Sequence, residues 1–371
     1  MFDRRLLKNF DWLFFFIVIL ICIIGLVNLF SASYQTGLSV FKKQLVWFTL
    51  GVVVAACISF FDHRSLERYS HHIYVFSVLL LIAALIFGKE VSGSKSWISL
   101  GEHITIQPSE LAKIPLILAI AKFYQNDFES GPYGIRDLIK PIFFILLPLA
   151  LVMLQPDLGT ILIILLISGS LVIFIGLKIK SFALLLILII GLSFPTWHYF
   201  LKGYQKERIE TFLDPSRDPL GSGYNALQSQ IAVGSGKFFG KGFKQGSQAQ
   251  LRFVPEQHTD FIYSVLAEEW GFIGGFFTLL LYFIVILWIL DTASLAKDRF
   301  SMVLSLGIAS IFFWHTLINV GMVTGLLPVM GVPLPLLSYG GSSLITAMLG
   351  VGIVLGIRMR KFPIAKEEIA L

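Results

Sequence analysis

Charge is what this chain has least of. Lys and Arg (29) with Asp and Glu (23) make only 14% of its 371 residues, where a soluble domain carries about a quarter. That scarcity excludes a water-exposed globular protein. Cysteine is also nearly missing. The two present, Cys22 and Cys57, sit inside apolar runs, which excludes a disulfide framework and reads as packing. There is no low-complexity tract and no repeat of solenoid length. The net charge of +6 is spread over the connections between apolar runs, short and long, and points to no nucleic-acid partner.

What is present is hydrophobic sequence, 56% of the chain. The first apolar run, from Trp12 to about Phe30, is too long for a signal-peptide core and reads as a membrane span. Stretches of about 17–25 apolar residues predict ten spans. They lie near 12–34, 44–61, 72–88, 107–125, 138–154, 157–176, 181–200, 260–290, 301–325 and 340–357. The expected fold is therefore an all-α polytopic membrane protein, residues 1–371 forming one integral membrane domain. On this division the tails and one set of loops hold Arg4, Arg5, Lys122, Lys178, Lys297, Arg299, Arg358, Arg360, Lys361 and Lys366, among others. The short loops on the other side hold only Lys42, Lys43, Lys89 and Lys95. Positive charge marks the cytoplasmic side, so both termini are expected there, in the cytoplasmic membrane.

One connection breaks the run of short loops. Residues 201–259, between the seventh and eighth spans on the extracytoplasmic side, form the only long non-apolar segment. Loops of that length are usually functional. Within it "YNALQSQIAV" predicts a short amphipathic helix at the membrane surface.

Ionisable groups inside or at the mouth of a span cost several kcal/mol unless paired or facing a cavity, so they locate a site. "IQPSELAKIPL" opens the fourth span with Glu110 and Lys113, three apart and able to pair on one helix face. "LQPDLGT" opens the sixth with Asp157, "VPEQHTDF" the eighth with Pro255, Glu256, His258 and Asp260, and "VPLPLLSYGGSS" the tenth with Ser338. All four helices begin at the outer face, where unpaired N–H groups and the helix dipole favour an anion. Pro and an acidic residue are also ordinary helix-start signals. Start-signal chemistry does not account for Lys113 or for Glu268. Glu256 and Asp260, one helical turn apart, suit a general base or a hard-cation site. Glu268 and Glu269, deeper in the same segment, are candidates for pairing with a basic residue elsewhere. Two classes remain open on the residues alone: an enzyme acting on a lipid-linked anionic substrate, and a transporter or flippase with an intramembrane proton path. No inverted repeat and no broken central helix is apparent, and the long basic outer loop favours the enzyme.

The run "FLDPSRDPLGSGYNALQSQIAVGSGKFFGKGFKQGSQAQLRFVPEQHTDFIYSVLAEEWG", with "GSKSWISLG", "QPSELAKI", "QPDLGT" and "GVPLPLLSYGGSS", resembles the SEDS family (shape, elongation, division and sporulation) over nearly the whole chain. "LDPSRDP" and the short tails resemble its elongation branch, with the division branch as the alternative. The resemblance implies polymerisation of peptidoglycan glycan strands from lipid II, with release of undecaprenyl diphosphate; the family's other proposed activity is flipping lipid II. By motif it implies Asp260 as the essential acidic residue, and Glu110 and Lys113 as its partners in catalysis. Arg208, Lys241, Glu256, His258, Asp157 and Ser338 are the candidate substrate-binding groups. A divalent cation, Mg2+ or Mn2+, at Asp260 and Glu256 is implied by the family. So are a class B penicillin-binding protein as the transpeptidase partner and other elongation machinery, since the chain has no transpeptidase region of its own.

Overall fold

A computed structural model describes residues 8–34, 37–91, 94–101, 104–125, 132–195, 198–199, 203–214, 218, 221–251, 253 and 256–360. Arg4, Arg5, Pro255, Lys361 and Lys366, named above, lie outside them. The main helices are α1 (Trp12–Ser33), α2 (Ser39–Phe60), α3 (His63–Phe87), α4 (Pro108–Leu111), α5 (Lys113–Tyr124), α6 (Ile139–Leu154), α7 (Leu158–Ile175) and α8 (Ile179–Pro195). Then follow α9 (Gly203–Leu213), α10 (Ser222–Ser235), α11 (Ser247–Gln250), α12 (Ile262–Ser294), α13 (Arg299–Val323) and α14 (Gly341–Met359).

Eight helices among the described residues are long and apolar enough to cross a membrane. The expected fourth and seventh spans are shorter. The fourth is the four-residue α4 joined to the twelve-residue α5, and the apolar part of the seventh is Ile179–Leu188. Helix starts follow local chemistry. Asp11, Asp157 and Asp298 each accept a hydrogen bond from the backbone N–H three residues on, at 3.1, 3.1 and 2.8 Å.

In lipid, apolar contact with tails is as favourable as contact with another helix, so packing density decides which helices associate. Helix α14 lies along α2, where Gly352 lets the backbone approach Ala55 so closely that a Cβ would stand 2.6 Å from its carbonyl. Helix α13 packs on α5, α7 and α12, and α5 is buried from Ile114 to Ala121. That makes α5 a central helix in spite of its length. Phe16, Phe143 and Phe276 face outward.

Three findings depart from expectation. First, the chain is not wholly helical. Strands β1 (Lys89–Val91), β2 (Ser94–Leu100) and β3 (Ile104–Ile106) form an antiparallel sheet in that order, pairing Ile98 with Ile106 and Leu100 with Ile104. The segment is too short for a span and rich in β-branched and aromatic residues. Second, the described part of residues 201–259 holds three helices. Helix α10 contains the expected amphipathic stretch, but it buries Ala232 and Ser229 against α12 and α13, and Ser229 Oγ donates to Val323 O at 2.8 Å.

Third, α12 is broken. Gly271 adopts φ 66°, ψ −164° inside it, a backbone conformation open only to glycine. The groups freed by the break are taken by the chain at 237–242. The Lys241 and Gly242 N–H groups donate to Glu268 O and Glu269 O, both at 3.0 Å, and Phe272 N and Ile273 N donate to Lys237 O and Phe238 O at 2.9 and 3.2 Å. A buried break in lipid is tolerated only when its polar groups are satisfied in this way. Hydropathy reads through Gly271 because Trp270 and Phe272 flank it and the run beyond it is almost wholly apolar.

Candidate active site

The connection between α10 and α12 ends in a run of turns over 256–261, and helix α12 starts only at Ile262. Glu256 and Asp260 are therefore not joined by a helical turn, as their spacing suggested. Glu256 sits at φ 51°, and its carbonyl accepts the Thr259 N–H at 3.1 Å. The turn sits on a scaffold of backbone contacts. Asn319 Nδ2 donates to Asp260 O at 2.8 Å, and Asn28 Nδ2 to Ile262 O at 2.9 Å. Gln257 Nε2 reaches Ala32 O at 3.1 Å, and Tyr339 N donates to His258 O at 2.9 Å.

The side chain of Asp260 accepts no hydrogen bond among the described residues, and a Cβ on Gly331 would stand 3.4 Å from its Oδ2. Burial pushes the carboxyl up from 3.8 to about 7. Glu256 adds to the rise, the Arg208 guanidinium opposes it, and Asp157 and Glu110 add to it further. Four of the acidic candidates thus share one neighbourhood with Arg208, brought together from α4, the start of α7, α9 and the turn before α12. Asp157 also accepts from Gln107 Nε2 at 2.9 Å, and Ser342 Oγ accepts the Gln107 N–H at 2.8 Å. The mouths of α4, α7 and α14 are tied together by these bonds.

Glu110 and Lys113 form the pair their spacing predicted, Nζ to Oε1 at 2.5 Å, with side chains only 6% and 1% exposed. The structure adds a third member. His315 Nε2 lies 2.8 Å from Lys113 Nζ, and its Nδ1 lies 3.0 Å from Pro333 O. A carbonyl only accepts, so Nδ1 carries the proton and Nε2 accepts from the ammonium. His315 and Asn319 were not singled out in the sequence. Their signal was there: two polar residues four apart in the apolar "IFFWHTLINVG".

Other candidates are placed in supporting roles. Ser338 precedes α14 in a turn, where its Oγ accepts from Leu334 N at 2.8 Å and donates to Thr259 O at 2.7 Å. It holds the 334–340 connection against the Asp260 turn. Lys241 is taken elsewhere: its Nζ is 2.6 Å from Glu268 Oε1 and 2.8 Å from Ser247 Oγ. Its charge is matched by the fully buried Glu268. Glu268 also accepts the Gln248 N–H at 3.0 Å. Glu269 accepts from Ser31 Oγ, and Lys244 stands 3.7 Å over the Tyr34 ring. The deeper acidic pair therefore anchors the 237–248 segment to α1 and α12.

No cluster of three or more His, Cys, Asp or Glu suited to a metal occurs among the described residues. Glu256 and Asp260 offer hard oxygen donors, the set through which Mg2+ binds when a substrate's phosphates and water complete its shell. That donor chemistry fits a cation shared with a diphosphate better than a closed protein cage.

A family model described as "Cell cycle protein", grouping FtsW, RodA and SpoVE, matches residues 11–362. The peptidoglycan glycosyltransferase MrdB of Escherichia coli K12 is 37% identical over 352 residues, covering 95% of this chain and 94% of that protein. Among solved structures, a chain of a peptidoglycan synthase complex that coordinates polymerization and crosslinking superposes with a TM-score of 0.81 at 33% identity, over 95% of this chain and 98% of that one. The rod shape determining protein RodA of Thermus thermophilus gives 0.72 at 29% identity, over 95% and 98%.

Proposed function

Because the chain belongs to the FtsW/RodA/SpoVE family of cell cycle proteins, we infer that it is a peptidoglycan glycosyltransferase of the RodA/MrdB kind, polymerising lipid II into glycan strands. The observation that carries the mechanism is Asp260: a carboxyl with no hydrogen bond from the described residues, raised to about 7, beside Arg208 and the Lys113–Glu110 pair. In its ionised form Asp260 accepts the proton of the acceptor N-acetylglucosamine 4-hydroxyl. The oxygen forms a bond to C1 of the donor N-acetylmuramic acid as the bond from C1 to the diphosphate oxygen breaks. The electron pair leaves with undecaprenyl diphosphate, and the anomeric carbon inverts. A general base with a pKa near the working pH serves this step best. The leaving group is already good, so charge developing on it needs cations rather than a general acid. Arg208 and Lys113 supply them. A divalent cation at Glu256 and Asp260, when bound, adds further neutralisation of the diphosphate.

The ten-span topology is part of this reading, with α4–α5 and α8 as the fourth and seventh crossings and both termini cytoplasmic. The end opposite Asp260 carries Arg358, Arg360, Lys297 and Arg299, which supports that end as cytoplasmic. Crosslinking falls to a partner, a class B penicillin-binding protein, as part of the elongation machinery.

The test is polymerisation. Purified protein with its partner, labelled lipid II and Mg2+ should give long strands, and Asp260→Asn should give none while eluting as a folded protein. Normal strands from Asp260→Asn would remove Asp260 from its role. Lipid II translocation into vesicles without any strand formation would favour a flippase.

A further inference from the structure

Lysine in the apolar core of a helix bundle needs a reason, and an ion pair alone supplies one. Lys113 has more than that. Its ammonium is held between Glu110 Oε1 at 2.5 Å and His315 Nε2 at 2.8 Å, and no third partner occurs among the described residues. An ammonium on a four-carbon stem turns freely about a single partner. Two acceptors fix its direction, and with it the direction of the remaining N–H.

His315 is itself fixed, by its Nδ1–H on Pro333 O. One turn further along α13, on the same face, Asn319 gives one amide N–H to Val332 O at 2.7 Å and the other to Asp260 O at 2.8 Å. Both side chains are buried, at 1% and 0% exposed. Adjacent carbonyls, Val332 and Pro333, are therefore bound by two residues that also hold Lys113 and Asp260. One helix face sets the distance between the candidate base and the candidate cation.

We propose that His315 is a positioning residue for glycosyl transfer: it aims the free N–H of Lys113 at the leaving diphosphate and, with Asn319, keeps Lys113 in register with Asp260. The inference rests on the polymerase reading above. It assigns His315 no contact with substrate.

The two nitrogens of His315 are separable by substitution. Asparagine retains a donor near Nδ1 and loses the acceptor toward Lys113; glutamine carries an amide oxygen out toward the Nε2 position. Strand synthesis from lipid II is measured for His315→Asn, His315→Gln, Lys113→Ala and the double variant His315→Asn/Lys113→Ala, with elution and thermal melting as folding controls. Residues acting through one another are strongly non-additive. His315→Asn is expected to lower kcat about tenfold or more with KM within about twofold, as for loss of an interaction made in the transition state. His315→Gln should keep at least about a third of the wild-type kcat. In the Lys113→Ala background, His315→Asn should cost less than about twofold further. A folded His315→Asn with wild-type kcat overturns the proposal, and so do losses that multiply in the double variant. If His315→Asn does not fold, the glutamine variant carries the test, and a kcat as low as that of Lys113→Ala overturns it. Failure of the polymerase reading looks different: the wild type itself then makes no strands.

Discussion

A carboxyl with a pKa near 7 is ionised only part of the time at neutral pH, and in its proposed role as base Asp260 must be ionised. Its pKa is raised by burial from 3.8 to about 7, so activity should climb with pH through about 7 and level off above it. A bound divalent cation favours the charged form and moves this limb to lower pH; kcat measured from pH 5 to 9 with and without chelator checks both. The sign for stability is opposite. A fold that raises an acid's pKa favours its protonated form, so stability is lost as pH rises between 3.8 and about 7. Asp260→Asn should therefore melt at the same temperature as wild type or higher at pH 8 while losing all activity. Glu268 behaves as a structural group. Its carboxylate binds Lys241 Nζ and the Gln248 N–H, and Glu268→Ala should loosen the 237–248 segment. Hydrogen exchange there should accelerate, with about 1–3 kcal/mol of stability lost for the unpaired groups left behind.

Two elements depart from a simple unbroken span. Helix α12 is interrupted at Gly271, and the 237–242 segment fills the interruption, with Gly240 against the Glu269 carbonyl. A methyl group at Gly271 would meet Phe238 O at 2.7 Å and would also strain a positive φ. Gly271→Ala should cost about 1–3 kcal/mol. It should lower the melting temperature more than Gly234→Ala, where a Cβ meets nothing within 4 Å. An equal effect at the two positions would remove the break from its structural role. Helix α5 is the other case. It is twelve residues long, about 18 Å at 1.5 Å per residue, and its first residue is Lys113. Its shortness sets the Lys113–Glu110 pair below the mouth of the bundle, where α13 can supply His315.

At the scale of the molecule, the two ends of the bundle differ in kind. One gathers Glu256, Asp157, Glu110 and Arg208 around the buried Asp260 carboxyl. The other is closed by ion pairs and a hydrogen bond: Arg358 reaches Asp11 at 2.5 Å and Asp291 at 2.7 Å, and Arg360 donates to Phe60 O at 2.8 Å. The proposed orientation puts the first end outside. In a background with Cys22 and Cys57 replaced, Lys42→Cys, exposed at the start of α2, should react with a membrane-impermeant maleimide applied to intact cells or spheroplasts. Lys297→Cys should react only after permeabilisation. The reverse pattern would invert the topology and take Asp260 away from the outer leaflet.

The sequence alone determined the membrane class, the helix start at Asp157 and the Glu110–Lys113 pair, because hydropathy, an N-cap and three-residue spacing are local properties of the chain. It also marked Asp260, through a crowd of acidic residues at the mouth of an apolar segment and through motif resemblance. What it could not separate was that crowd. Glu256 and Asp260 face the site, whereas Glu268 and Glu269 hold a loop to α12 and α1. Lys241 went with the wrong group for the same reason: partners 27 residues apart are chosen by packing. The break at Gly271, the small β-sheet and the His315–Asn319 face of α13 likewise depend on which surfaces meet. His315 lies 202 residues from Lys113 and Asn319 lies 59 from Asp260, so only the assembled bundle made them neighbours.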